Sequence, residues 1–326
     1  MHGRGRLPPD TIRIMSHAYD WGLTEVRPDT LAYLRPPGTW GWSNSGLIVS
    51  GDEAVLVDAA YTLELTRRML AEISAALPDV RIARACLTHG NGDHCYGVPA
   101  LGGVELVATR ACADTIEHEV SAAALTTLMA SGPKPLDDYL TRHFGAFDFT
   151  GAVLPEPDVT VSGRSTFRLG SREIELIEVG PAHSAGDLAV YVDDVRCLYA
   201  GDIVFAYDTP IAWESVRGMI EACRTLRATG AEVVVPGHGP VVEAGYLDVA
   251  RGYFEHLLEH AERFGRAGLP YHEAAARVPL DRYASWLLPE RIVLSTAAAY
   301  RDLGLPVEDG PVEILRRVAH FAESAG

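Results

Sequence analysis

The residues of this chain best suited to chemistry stand in five short polar stretches: His89, Asp93 and His94 in THGNGDH, His183 in GPAHSAGD, Asp202 in YAGDIVF, His238 in VPGHGPV, and Asp58 in LVDAA. A single histidine beside glycine or proline is usually an ordinary loop residue. Here several separate apolar runs end in Gly-rich turns bearing His or Asp. Imidazoles and carboxylates that converge from several strand ends are what a binuclear hydrolytic metal centre requires.

The elements that must position these residues follow from the apolar pattern. SGLIVSGDEAVLVDAA reads as two strands around a Gly51-Asp52 turn. Leu63, Leu70, Ile73 and Leu77 recur at helical spacing, with Pro78 as the stop. RIARACLTH is then a strand that delivers THGNGDH into a loop, giving a β-α-β unit with its polar residues at the strand's carboxyl end, where open α/β sheets bind ligands. A strand and a helix in VELVATRACADTI lead to a helical or irregular segment of about residues 120–150, expected to be a substrate lid or a packing insertion. Strands resume in DVTVSG, STFRLG, REIELIEVG, DLAVYVDD and VRCLYAGD, followed by a helix over about 214–228 and the strand AEVVVPGHG. The expected division is a catalytic α/β domain over 1–240 and a helical extension over 241–326, where Tyr253, Phe254, Leu257 and Leu258 form an apolar stripe.

Composition narrows the function. At 326 residues and 48% hydrophobic content the chain can bury a large core. A formal net charge of −16 disfavours phosphate backbones and anionic membranes, so neither nucleic acid nor membrane is an expected partner. The first residues, MHGRGRLPPDTIRIMSHAYD, contain no apolar core of a signal peptide, and no apolar run reaches the ~18 residues of a spanning helix. Cys86, Cys95, Cys112, Cys197 and Cys223 are scattered without a CxxC pair, as in a reduced, cytoplasmic protein.

Taken in order, these motifs resemble those of the metallo-β-lactamase fold superfamily: THxHxDH, a histidine in a GxxHSxG stretch, the aspartate of AGD, and the histidine of PGHG. The match runs from about residue 45 to 240. The resemblance implies a four-layered αββα sandwich with the metal site at one edge between two sheets. It places His89, the motif's second histidine and His183 at a first metal position. Asp93, His94 and His238 fall at a second, with Asp202 bridging and Asp58 behind them fixing the loop. The second histidine is here Asn91, an amide that binds zinc less well than imidazole does.

Several readings stay open at this point. In the first, one zinc suffices, held by Asp93, His94, His238 and Asp202; in the second, two bind, with Asn91 or water completing the first position; in the third, His89, His183 and Asp202 form the two-histidine, one-carboxylate set of an iron oxygenase. The expected reaction is hydrolysis of a small, largely apolar ester, lactone, thioester or amide, with metal-activated hydroxide as nucleophile and a metal-bound water or Asp93 carrying a proton to the leaving group. The alternatives are a cyclase or dehydratase acting on a carrier-tethered acyl group, and a metal-free ligand-binding protein. Trp40 and Trp42 either wall a pocket or pack within their loop. HLLEH, with His256 and His260, matches an inverted zincin pattern, or forms the polar side of a helix. Cys95 reads as a packed thiol rather than a ligand.

Overall fold

A computed structural model describes residues 19–325. Most of the N-terminal stretch read above lies outside them. The first sheet has seven strands in chain order: β1 (Gly22–Arg27), β2 (Thr30–Leu34), β3 (Ser45–Ser50), β4 (Glu53–Val57), β5 (Arg81–Cys86), β6 (Glu105–Thr109) and β7 (Val159–Val161). Its first four strands form an antiparallel meander, and β4 through β7 run parallel. The second sheet holds β8 (Arg164–Leu169), β9 (Arg172–Glu178), β10 (Leu188–Val192), β11 (Cys197–Phe205), β12 (Val233–His238) and β13 (Val242–Glu243). Only the β11–β12 pair in it is parallel.

The strands are apolar on both sides because both sides are covered. Val55 and Val57 of β4 face Leu188, Val190 and Val192 of β10 in the core between the sheets, whereas Ala54 and Leu56 face outward into the core beneath the helices. That outer layer includes α1 (Leu63–Ala76), which Thr62 caps by accepting from the Leu65 N–H at 3.1 Å. The short α2 (Gly92–Cys95) and α3 (Arg110–Thr115) follow, then α4 (Ala122–Ser131) and α5 (Leu136–Phe144). Against the second sheet lies α6 (Val216–Arg227), packed on the long α7 (Tyr246–Arg266). Then come α8 (Tyr271–Ala275), α9 (Ile292–Asp302) and α10 (Pro311–Ala325). Helices outside, two sheets inside: this is the αββα sandwich. Among the described residues no helix is long and apolar enough to cross a membrane.

Two expectations need correction. Asp202 does not end its strand, since β11 continues to Phe205; the pairing with β12 slips on both sides of Gly201, whose φ of +52° breaks the ladder beside the aspartate. The strands β1 and β2 were not anticipated at all. The residues after α7 are also tied closely to the rest. Arg291 pairs with Asp208 at 3.3 Å, both buried, and the Tyr139 hydroxyl of α5 donates to Glu290 at 2.9 Å.

Candidate metal centre

The cluster starts from Asp58, which leaves β4 in the left-handed region at φ +62°. Its N–H donates to the Cys86 carbonyl at 2.9 Å. Oδ1 then accepts the Thr88 N–H at 2.7 Å, while Oδ2 accepts the Thr88 hydroxyl at 2.7 Å and His94 Nδ1 at 2.8 Å. One carboxylate thus fastens the end of β5 to α2, and the backbone cost of its conformation, about 1–3 kcal/mol, is offset by those bonds. Gly237 is required on the far side, because a Cβ there would overlap Asp202 Oδ1. His183 sits in the loop after β9, where Asp187 accepts from the Ala182 and Ser184 N–H groups at 3.1 and 3.0 Å.

The four imidazoles share one pattern. Nδ1 of His183 donates to the Ile211 carbonyl at 2.9 Å and Nδ1 of His238 to the Gly38 carbonyl at 2.8 Å. Nδ1 of His94 donates to Asp58, and Nδ1 of His89 lies 3.0 Å from the Thr88 hydroxyl oxygen, whose own hydrogen is spent on Asp58. Each Nδ1 therefore carries a proton, so each ring, when neutral, presents a lone pair at Nε2. All four lone pairs point at further acceptors. His94 Nε2 is 3.2 Å from Asp202 Oδ1; His89, His183 and His238 Nε2 are 3.8, 3.4 and 3.5 Å from Asp202 Oδ2; and His238 Nε2 is also 3.3 Å from Asp93 Oδ2.

Lone pairs turned on one another in a buried site need a cation between them. His89 Nε2, His94 Nε2 and Asp202 Oδ1 are buried without a hydrogen-bond partner, and the potential ligand atoms of His89, His94 and Asp202, like those of Asp93, His94 and His238, lie within 4.8 Å of one another. The donor set fits a divalent metal ion. Without one, protons must serve. Burial resists charge on His94 and His238, yet Asp202 and other carboxylates raise His94 well above the ordinary histidine range and His238 to about 9. Burial pushes the other way on Asp93, which His94 and His238 nonetheless hold down at about 2; the histidines also hold Asp202 well below the usual range against its burial. Burial lowers His89 and His183.

All eight residues singled out in the sequence, Asp58, His89, Asn91, Asp93, His94, His183, Asp202 and His238, meet at this edge of the two sheets. Asn91 stands inside the cluster, with Oδ1 2.8 Å from His183 Nε2 and Nδ2 donating to Glu119 at 2.9 Å. Sequence reading missed Thr88 and Glu119. Thr88 was available as the residue preceding His89, whereas Glu119 lies in a separate turn with no pattern to mark it. The remaining candidates lie elsewhere or pack. His256 Nε2 donates to the Pro279 carbonyl at 2.7 Å and His260 Nδ1 to the His256 carbonyl at 2.9 Å. Cys95 is buried with its thiol on the Gly90 carbonyl, and burial pushes it well above the thiol range. Trp40 donates to the Tyr139 hydroxyl at 2.8 Å beneath the Arg291 guanidinium, and Trp42 packs on Trp21 and Phe147.

Residues 38–238 match the model of the metallo-beta-lactamase superfamily. The chain belongs to that superfamily. It is similar to the lactamase-like protein nscB of Trichophyton equinum, 23% identical over 222 residues, which cover 68% of this chain and 53% of that protein. It is also similar to a hydroxyacylglutathione hydrolase of Methylococcus capsulatus, 28% identical over 156 residues, 48% of this chain and 47% of the relative. The chain spans about half the length of these curated relatives. Among solved structures, the inverting sec-alkylsulfatase Pisa1 of Pseudomonas sp. superposes with a TM-score of 0.69 at 18% identity, covering 87% of this chain and 50% of that one. A metallo-beta-lactamase of Pontibacter korlensis gives 0.55 at 20% identity, covering 72% and 99%. These two likenesses share the fold.

Proposed function

We propose that this protein is a metal-dependent hydrolase acting on a small, largely apolar ester, lactone, thioester or amide, free or tethered to a carrier. The observation that carries the reading is the convergence of four Nε2 lone pairs on Asp202 and Asp93, with every Nδ1 already spent on a fixed acceptor. Asp93, His94, His238 and Asp202 would hold one divalent ion, and His89, His183 and Asp202, with Asn91, a second. A zinc ion bound there would supply the polarisation of a carbonyl and a water acidified toward pKa ~7. The chain's own residues do the rest. Asp58, Thr88, Ile211 and Gly38 hold the rings in one tautomer and orientation.

Asp93 is suited to proton transfer. Its side chain is 18% exposed while those of His89, His94, His183, His238 and Asp202 are 5% or less, so among the cluster's histidines and carboxylates it is the one that borders the approach. Held ionised, it accepts the proton released as the nucleophile attacks and returns it to the leaving group. Trp40, Tyr61, Phe144, Phe147 and Phe149 pack ring against ring; such a layer suits an apolar substrate, with the segment of α4 and α5 that supplies Phe144 as the wall or lid over it. The names of two relatives, a hydroxyacylglutathione hydrolase and an alkylsulfatase, also favour hydrolysis.

Elemental analysis of protein purified anaerobically without added metal is the first test, followed by turnover on a panel of esters, lactones and thioesters. Zinc together with loss of turnover in Asp93→Ala and His238→Ala is the expected result. Full turnover in either variant sinks the hydrolytic reading; iron with oxygen consumption replaces it with an oxygenase at His89, His183 and Asp202, and stoichiometric absence of metal replaces it with a binding protein.

A further inference from the structure

The amide of Asn91 has two ends, and its neighbours determine which one faces the cluster. Glu119 Oε2 lies 2.9 Å from Nδ2, and a carboxylate only accepts, so the NH2 end must turn toward it. The carbonyl end is left 2.8 Å from His183 Nε2. That nitrogen is a lone pair, because Nδ1 of the same ring gives its hydrogen to Ile211. Two acceptors at hydrogen-bond distance repel unless a cation lies beside both. Reversing the amide would remove that repulsion but set Oδ1 against Glu119. The turn packs closely on the loop: a Cβ at position 90 would come within 3.1 Å of Ile116 and 3.3 Å of the Glu119 side chain, so Gly90 eases the approach of Glu119.

Building on the metal-dependent reading above, we propose that Asn91 is an oriented oxygen ligand rather than a lost histidine, with Glu119 as the positioning residue that presents its carbonyl to the ion shared with His89, His183 and Asp202. The two metal positions then differ in kind. One has two imidazoles and two carboxylates, Asp93 and Asp202. The other has two imidazoles, the Asp202 carboxylate and a neutral carbonyl, so it binds more weakly and leans toward oxygen-preferring ions such as Mn2+ more than a three-histidine position would. Glu119 touches no reacting atom; its effect is on affinity and ion choice.

The test titrates metal-stripped protein with Zn2+ and with Mn2+ against a chromophoric chelator. Wild type is expected to bind two equivalents, one tight and one weaker. Glu119→Lys supplies donors in place of acceptors and flips the amide, so the weaker affinity alone falls roughly ten- to hundredfold. Glu119→Gln, whose carbonyl can still accept from Nδ2, stays within a few fold of wild type. Asn91→His tightens Zn2+ at that position and lowers the Mn2+ to Zn2+ affinity ratio. Wild-type binding of both ions by Glu119→Lys overturns the proposal, as does a single equivalent in wild type that no substitution at 91 or 119 alters. Absence of turnover on every acyl substrate would remove the hydrolase reading and leave these affinities as they are.

Discussion

Two pairs of neighbouring imidazoles in this protein have the same spacing and opposite chemistry. His89 and His94 have ring centroids 4.3 Å apart, and so do His256 and His260 on α7. In the first pair both Nδ1 atoms are engaged from behind and both Nε2 atoms face Asp202. In the second, His256 has spent Nε2 on Pro279, and His260 has turned Nδ1 onto the carbonyl one helical turn earlier. Among the described residues no carboxylate pairs with either ring. A metal site is thus defined by where the lone pairs go, which a motif of residue types does not record.

The largest test of that difference removes the common acceptor. Asp202→Ala should abolish stoichiometric metal binding at both positions while His256→Ala leaves the metal content of the protein unchanged; equal metal content in both variants would erase the distinction. Asp58→Asn is a subtler break. Asparagine tolerates the left-handed backbone at that position, so the loop survives, but His94 loses the carboxylate that fixes its tautomer. Metal affinity should fall roughly ten- to hundredfold, measured by chelator competition.

Protons and metal compete for the same Nε2 atoms, which gives the comparison a pH signature. In the metal-free protein His238 is raised from 6.5 to about 9, with Asp202 and Asp93 outweighing the opposing effect of burial. The stability that its proton contributes is complete below about 6.5 and is lost as pH rises through about 9. Metal binding displaces that proton, so metal affinity should rise over the same interval. The metal-free Tm should therefore fall between pH 6.5 and 9 as chelator-resistant metal increases. Parallel trends would show that the cluster does not hold the proton.

What the sequence made legible was whatever repeated or sat at a boundary. Alternation and β-branched runs revealed β3 through β12, and the Gly-rich turns beside them revealed six of the cluster's histidines and carboxylates, with Asp58 at the end of β4 as the seventh and Asn91 as the odd member. β1, GLTEVR, escaped because its burial does not alternate, and it turns into β2 through Asp29 at φ +57° rather than through a glycine. Asp202 was placed at a strand end because AGD looks like a turn; the backbone instead passes through Gly201 and pairs again at Phe205. Glu119 and the Arg291–Asp208 pair were invisible for a different reason. Each meets its partner across a long stretch of chain, 28 residues from Glu119 to Asn91 and 83 from Arg291 to Asp208, and no local periodicity marks such a contact.

The smallest expected effect falls on the other imidazole pair. His256→Ala removes one hydrogen bond, from an exposed ring to the Pro279 carbonyl, and His260→Ala removes one bond to a helical carbonyl that the next turn of α7 also uses. Each should cost about 0.5–1.5 kcal/mol at most, seen as a small shift in the urea midpoint with an unchanged slope. The double variant should be nearly additive, because the two imidazoles share no ion and no carboxylate. A coupling near 3 kcal/mol that disappears on chelation would mean that a cation bridges them after all. Both helical histidines would then belong with His89 and His94, and the pattern HLLEH would regain the chemistry that its hydrogen bonds deny it.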